Sequence, residues 1–196
     1  MGSFLLAVQA VLHWINNRLL AVGVVLASTA LAVMVLAILL QVFFRYVLNN
    51  ALPWPEEAAR FLMLWMTGLA APAAYRRGGF VAIDMLEYAL PRRAAAALSL
   101  VQLIISFAVL AVAVQLGWNH IGSGWLFNSS SLKLPLDLIG FQAVRVKLAW
   151  MYMSVFAGFV LLSVVNIELM LRALLRLLGH EDDLAPIPGL PMAEAE

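Results

Sequence analysis

Apolar positions in this chain fall in long runs separated by short polar clusters. Neither the strict alternation of a half-buried strand nor the narrow stripe of a soluble helix is seen. Four stretches lack Asp, Glu, Lys, Arg and His altogether: residues 19–44, 61–75, 94–117 and 148–167. A bilayer-crossing helix needs about 20 consecutive, mostly apolar residues. Leu19–Phe44 has 26 and Leu148–Ile167 has 20. A third run without acids or bases extends from Ala94 to Leu132, and its apolar part ends near Gly117. The second run, Phe61–Tyr75, has only 15 residues. It is lengthened at its start, because Pro55 suits a first helical position and Glu56 and Glu57 suit the positive end of a helix dipole. A helix from Pro55 to Arg76 has 22 residues. At 1.5 Å per residue that is roughly 33 Å, enough to span. Arg60 and Arg76 can snorkel from its ends, and Gly78 and Gly79 stop it. The pattern predicts an all-α integral membrane protein with four transmembrane helices, at about 19–44, 55–76, 94–117 and 146–168.

Four spans put both termini on one side, and the Lys and Arg bias decides which. One side carries Arg18, Arg76, Arg77, Arg92, Arg93, Arg172 and Arg176; the other carries Arg45, Arg60, Lys133, Arg145 and Lys147. Seven against five places both termini in the cytoplasm. Trp54, Trp118 and Trp150 fall at the outer ends of spans, as an interfacial belt requires. Phe4–Ile15 is apolar but too short to span and lacks a basic region before it; it reads as an uncleaved interfacial helix. Phe80–Leu90 reads as an amphipathic segment at the cytoplasmic interface, with Asp84 and Glu87 on one side and Pro91 at its end. Asn119–Val144 is the longest outer connection, with Gly122, Gly124, Ser129–Ser131 and Pro135. The fourth helix is expected to continue through Glu168–Leu178. Residues 1–178 thus form the membrane domain. Residues 179–196 form a flexible acidic cytoplasmic tail, its last 17 residues holding three prolines, five acids and no Lys or Arg.

Composition narrows the class. Of 196 residues 64% are apolar and 12% charged, against about half and a quarter in soluble domains. Mean hydropathy is +0.96. A net charge of +1 leaves no basic field to hold nucleic acid. The chain has no Cys, which removes thiolate chemistry and disulfides. Proton relays and ion pathways show ionisable groups at membrane depth, and the four stretches have none. A bis-His haem needs two histidines at that depth, whereas His13, His120 and His180 lie outside. No phosphate loop, nucleophile elbow or HExxH motif is present. No catalytic set, metal site, substrate site or cofactor is therefore expected. Asn128-Ser129-Ser130 matches a glycosylation sequon, a pattern frequent by chance.

Packing chemistry remains. Helices in lipid associate through small residues and hydrogen bonds. Gly23 and Ala27, Gly68 and Pro72, and Ser154 and Gly158 each lie four apart. Around Gly68 and Pro72 the small residues Ala70, Ala71, Ala73 and Ala74 surround the helix, which suggests a partner outside the chain. Pro72 frees the carbonyl of Gly68. Gln41, Gln102, Gln115 and Asn166 suit interhelical or interfacial bonding.

Three segments, Phe44-Arg45-Tyr46-Val47-Leu48-Asn49, Leu52-Pro53-Trp54-Pro55-Glu56-Glu57-Ala58-Ala59-Arg60-Phe61 and Arg76-Arg77-Gly78-Gly79-Phe80-Val81-Ala82-Ile83-Asp84, resemble one family. It is the small integral-membrane subunit (DctQ-like) of tripartite ATP-independent periplasmic (TRAP) transporters. The specific likeness covers roughly residues 40–90; the flanks agree in hydropathy. Where many members have His this chain has Phe80, and where they have a basic residue it has Ala82. The resemblance implies a non-catalytic scaffold in the bacterial inner membrane. Its implied partners are membrane lipid, a large multi-span subunit that carries a solute, typically a carboxylate, with sodium, and a periplasmic solute-binding protein.

On that footing Glu56, Glu57, Arg60, Gly68 and Pro72 are candidates for partner contact. Glu57 and Arg60 are helical neighbours that can pair, and Arg45 can pair with either Glu across the outer loop. The plain alternative is a helix-start charge pattern with a snorkelling Arg. Arg76 and Arg77 are candidate anchors to anionic lipid, and Asp84 a candidate partner for one of them. Two other classes compete. A respiratory membrane anchor predicts buried haem histidines. A self-sufficient exporter predicts an intramembrane carboxylate.

Overall fold

The computed structural model describes residues 2–78, 90–134, 144–180 and 183–188. The expected Phe80–Leu90 segment and Asp84 lie outside the described residues, save Leu90. Among the described residues lie four helices: α1 (Gly2–Tyr46), α2 (Trp54–Arg76), α3 (Arg92–Gly124) and α4 (Ala149–Leu177). Between α3 and α4 lie two antiparallel strands, β1 (Asn128–Leu134) and β2 (Val144–Lys147). Among the described residues three helices are long and apolar enough to cross a membrane: α1, α3 and α4.

Three sequence expectations change. Phe4–Ile15 is not a separate interfacial helix but the first part of one 45-residue helix. No proline interrupts that run, so nothing terminates the helix between the two apolar segments. α3 runs to Gly124, past the expected end near Gly117. The outer connection, expected as a loop in an all-α protein, contains the two strands. Their short polar run, Asn128-Ser129-Ser130-Ser131, has no apolar alternation to betray it.

The helix ends follow local chemistry. Pro55 is the second residue of α2, where its missing N–H costs no hydrogen bond. Gly78 closes α2 with φ 76°, and Gly179 closes α4 with φ 80°. After α4 the Gly179 N–H donates to the Arg176 carbonyl and the His180 N–H to the Leu175 carbonyl, at 3.1 and 3.0 Å. That pair of bonds is the Schellman closure, which needs a left-handed residue and so favours Gly. Asn49, at φ 49°, turns the chain after α1.

Covered positions in α1 recur at Gln9, His13, Asn16, Leu20, Gly23, Ala27, Ala30, Met34 and Ala37. These steps of three and four form a heptad seam. In α4 the buried positions Ser154, Gly158, Val165, Glu168, Arg172 and Leu175 keep the same spacing. The rest of both helices exposes large apolar side chains, Val22, Val25, Leu36 and Leu39 among them. α3 does likewise with Ile105, Val109, Val112 and Leu116. Exposed apolar surface of this extent is what a lipid-solvated chain presents.

The chain divides into two compact units. The first comprises Met1–Gly23, Ala71–Val112 and Val160–Glu196. Its buried apolar residues include Leu20, Ala73, Ala96, Val165, Ala173 and Leu175. The second comprises Val24–Ala70 and Ala113–Phe159. There Ala27, Ala37 and Ala149 are buried with Pro55, Ser129 and Ser154. All seven basic residues assigned to one side from sequence fall in the first unit, and all five assigned to the other fall in the second.

Candidate functional site

The first unit is built on a polar cluster. His13, Asn16 and Asn17 share one face of α1, being three and four residues apart. Arg76 is the last residue of α2, and Glu168 and Arg172 are one turn apart on α4. The Glu168 side chain is fully buried, and those of Arg76 and Arg172 are 4% and 6% exposed. Arg76 grips the carboxylate with both prongs of its fork: Nε donates to Oε2 at 2.9 Å and Nη2 to Oε1 at 2.7 Å. Asn16 Nδ2 donates to Oε2 at 2.6 Å, and Arg172 Nε to Oε1 at 3.3 Å. Arg76 Nη1 donates to Asn17 Oδ1 at 2.5 Å.

His13 sits among these charges. Its Nδ1 lies 3.1 Å from Glu168 Oε1, 2.9 Å from Arg76 Nη2 and 2.7 Å from Arg172 Nη2. Arg172 Nη1 also donates to the Ala185 carbonyl at 2.9 Å, which ties the segment after α4 to the cluster. One carboxylate thus serves two guanidiniums. A charge this deep persists only when paired and fully hydrogen-bonded, and here three helices, α1, α2 and α4, supply the partners. Nearby, Asn166 Nδ2 donates to Tyr75 Oη at 2.5 Å.

A second cluster, in the other unit, centres on Glu57. Its carboxylate accepts from the N–H groups of Ser130, Ser131 and Leu132 at 3.1, 2.7 and 3.2 Å. The hydroxyls of Ser130 and Ser131 also donate to it. The register of the strands explains why so many donors converge. From Asn128↔Lys147 to Lys133↔Arg145, β1 advances five residues while β2 advances two. Four residues, Ser129–Leu132, thus stand against the single Val146 and bulge out of the ladder, and the N–H groups of Ser130, Ser131 and Leu132 turn to the carboxylate.

The helix crossing in this unit is backbone on backbone. A Cβ placed on Gly158 would lie 2.9 Å from the Gly68 Cα and 3.0 Å from its carbonyl oxygen. A Cβ on Gly68 would strike the Ser154 carbonyl oxygen. Only glycine permits this approach. Where α3 meets α4, a Cβ on Gly124 would lie 2.8 Å from the Ala149 Cα. Trp118 packs on Phe156 and His120 on Tyr152, with ring centroids 5.7 and 5.5 Å apart.

Several candidate residues have partners other than those anticipated. Arg60 pairs with Glu56 at 2.5 Å, both exposed, because i,i+4 brings them closer than the anticipated Glu57. Glu57 points instead to the strands. Arg45 lies over the Tyr46 ring, 5.7 Å from its centroid. Gly68 packs on α4 of its own chain, and Pro72 is buried. Arg76 commits its Nε and Nη2 to Glu168, a two-pronged fit of guanidinium to carboxylate. Arg77 is exposed. Sequence reasoning missed Glu168, Arg172, His13, Asn16 and Asn17 as one site. The signal was present: Glu168 and Arg172 at i,i+4, and three polar residues on one face of an apolar helix.

Long apolar helices whose buried charges pair with one another define a helical membrane protein. Among the described residues no group of His, Asp and Glu suited to a metal occurs. The family model for tripartite ATP-independent periplasmic transporters, DctQ component, matches residues 34–176, and the chain belongs to that family. A Haemophilus influenzae protein, provisionally described as a TRAP transporter small permease protein, is 30% identical over 83 residues, 42% of this chain. The chain spans about half the length of that relative, 49%. This is therefore a small, DctQ-type component of a transporter.

Proposed function

We propose that the chain is the non-catalytic scaffold of a TRAP-type secondary transporter in the bacterial inner membrane. It supports a large subunit that imports a solute, a carboxylate, with sodium, and a periplasmic solute-binding protein docks on the assembly transiently. In this reading α2 is the fourth span, about 34 Å long for its 23 residues, and both termini are cytoplasmic. The division of the basic residues between the two units supports that topology.

One observation carries the scaffold role. The charge-free stretches hold no Asp, Glu, Lys, Arg or His, and the buried charges of Arg76, Glu168 and Arg172 outside them are bonded to one another. Glu168 and Glu57 are occupied by donors of their own chain, so neither is free to couple ion movement. Partner contact then falls to the exposed Glu56–Arg60 pair and the exposed apolar faces of α1 and α3. The test is reconstitution in liposomes. The chain alone is expected to give no solute uptake, and uptake is expected only with the large subunit and the binding protein present. Uptake by the chain alone would overturn the reading.

A further inference from the structure

One cavity in the first unit has no role in the scaffold reading. Its volume is about 290 Å³, near the lower end for small-molecule sites. Its polar wall is Asn17, Arg76 and Arg77, and its apolar wall includes Leu20, Ile187 and Pro188. Among the described residues no carboxylate lines it. Glu168 is committed to Arg76 Nε and Nη2 and to Arg172 Nε, so two guanidiniums share one carboxylate and the cluster keeps a positive excess. Arg76 has five N–H groups. Its Nη1 donates to Asn17 Oδ1, which also lines the cavity. Arg77 is exposed and makes no ion pair among the described residues.

The depth of the cavity indicates what fills it. Leu20 lies just inside the charge-free stretch of α1, and Asn17 just outside. Arg76 and Arg77 lie just outside the stretch that ends at Tyr75. The cavity therefore straddles the level where hydrocarbon gives way to headgroups. Leu19 and Val22 expose apolar surface on α1 close by in sequence. We infer that the cavity holds the phosphate of an anionic phospholipid headgroup, its acyl chains leaving along α1. The phosphate accepts from Arg76 Nη1 and Arg77, a fit of guanidinium to phosphate oxygens. Ile187 and Pro188 cover the headgroup, and the Arg172 bond to Ala185 holds that cover in place. The inference needs α1 in a membrane but no partner subunit.

The full chain would be placed in phosphatidylcholine nanodiscs doped with phosphatidylglycerol, and its retained lipid measured by native mass spectrometry. One phosphatidylglycerol per chain is expected, with phosphatidylcholine left behind. Arg77→Gln removes a donor. Ala21→Trp, at an exposed position that also lines the cavity, fills it without changing charge. Each is expected to lower retention about tenfold. Arg18→Gln makes the same charge change on an exposed residue outside the lining and is expected to leave retention at the wild-type level. Equal retention of phosphatidylcholine would overturn the inference. So would loss in Arg18→Gln matching that in Arg77→Gln, or wild-type retention in Ala21→Trp. Displacement of the lipid by inorganic phosphate would show a site for the free ion and would overturn it too.

Discussion

Replacing Glu168 by glutamine keeps the size of the side chain and removes the charge that two guanidiniums share. Arg76 holds the carboxylate by two prongs of a buried fork, at 2.9 and 2.7 Å; the amide oxygen would keep one, and an amide N–H would face the other. Removing one member of a buried pair costs about 3–5 kcal/mol, because the other is left uncompensated. For a chain of this size each kcal/mol moves the unfolding midpoint by roughly 2–4 °C, so Glu168→Gln is expected to lower it by about 6–20 °C. Arg172→Gln should behave differently. It removes the surplus charge and leaves one carboxylate with one guanidinium, losing a 3.3 Å bond and the Ala185 contact. Its expected cost is about 1–2 kcal/mol. Tryptophan fluorescence during heating in detergent, at one scan rate for all variants, measures both. The reasoning fails if Arg172→Gln costs as much as Glu168→Gln. It fails equally if Glu168→Gln melts within about 2 °C of wild type.

Other predictions address the second unit and the topology. Gly158→Ala should destabilise by about 1–3 kcal/mol, because the new methyl meets backbone that cannot yield. Gly122→Ala, with nothing within 4 Å of the added carbon, should be neutral or stabilising by the same thermal assay; the reverse order would contradict the crossing. Glu57→Gln should speed hydrogen exchange of the Ser130–Leu132 amides about tenfold to a hundredfold, since bonds to a carboxylate contribute about 1.5–3 kcal/mol. Unchanged exchange there would mean the bulge holds itself. The chain has no Cys, so single cysteines report topology without background. Ser3→Cys should react with impermeant thiol reagents only from the cytoplasmic side, and Ser123→Cys only from the periplasmic side. Labelling of both from one side would refute the four-span arrangement.

Three spans, and the family, were legible in the linear sequence because both rest on local properties. Mean apolarity over some 20 residues decides whether a helix is at home in lipid. Pro55 and Gly78 mark the two ends of α2 through their own backbone constraints. The absence of charge from the charge-free stretches is likewise a property of the string. What the string leaves open is the identity of the facing group. Helical spacing places His13, Asn16 and Asn17 on one face, and Glu168 and Arg172 on another, but not opposite each other. Arg76 has the same sequence context whether it meets a headgroup or a carboxylate on α4. Only the folded chain decides, because a buried charge takes the partner that replaces its lost water most fully. Glu57 makes the same point at the other end of α2. Its helical neighbour Arg60 was available, yet the bulge in β1 offers several N–H and O–H donors together, and that bulge exists only once the two strands have paired.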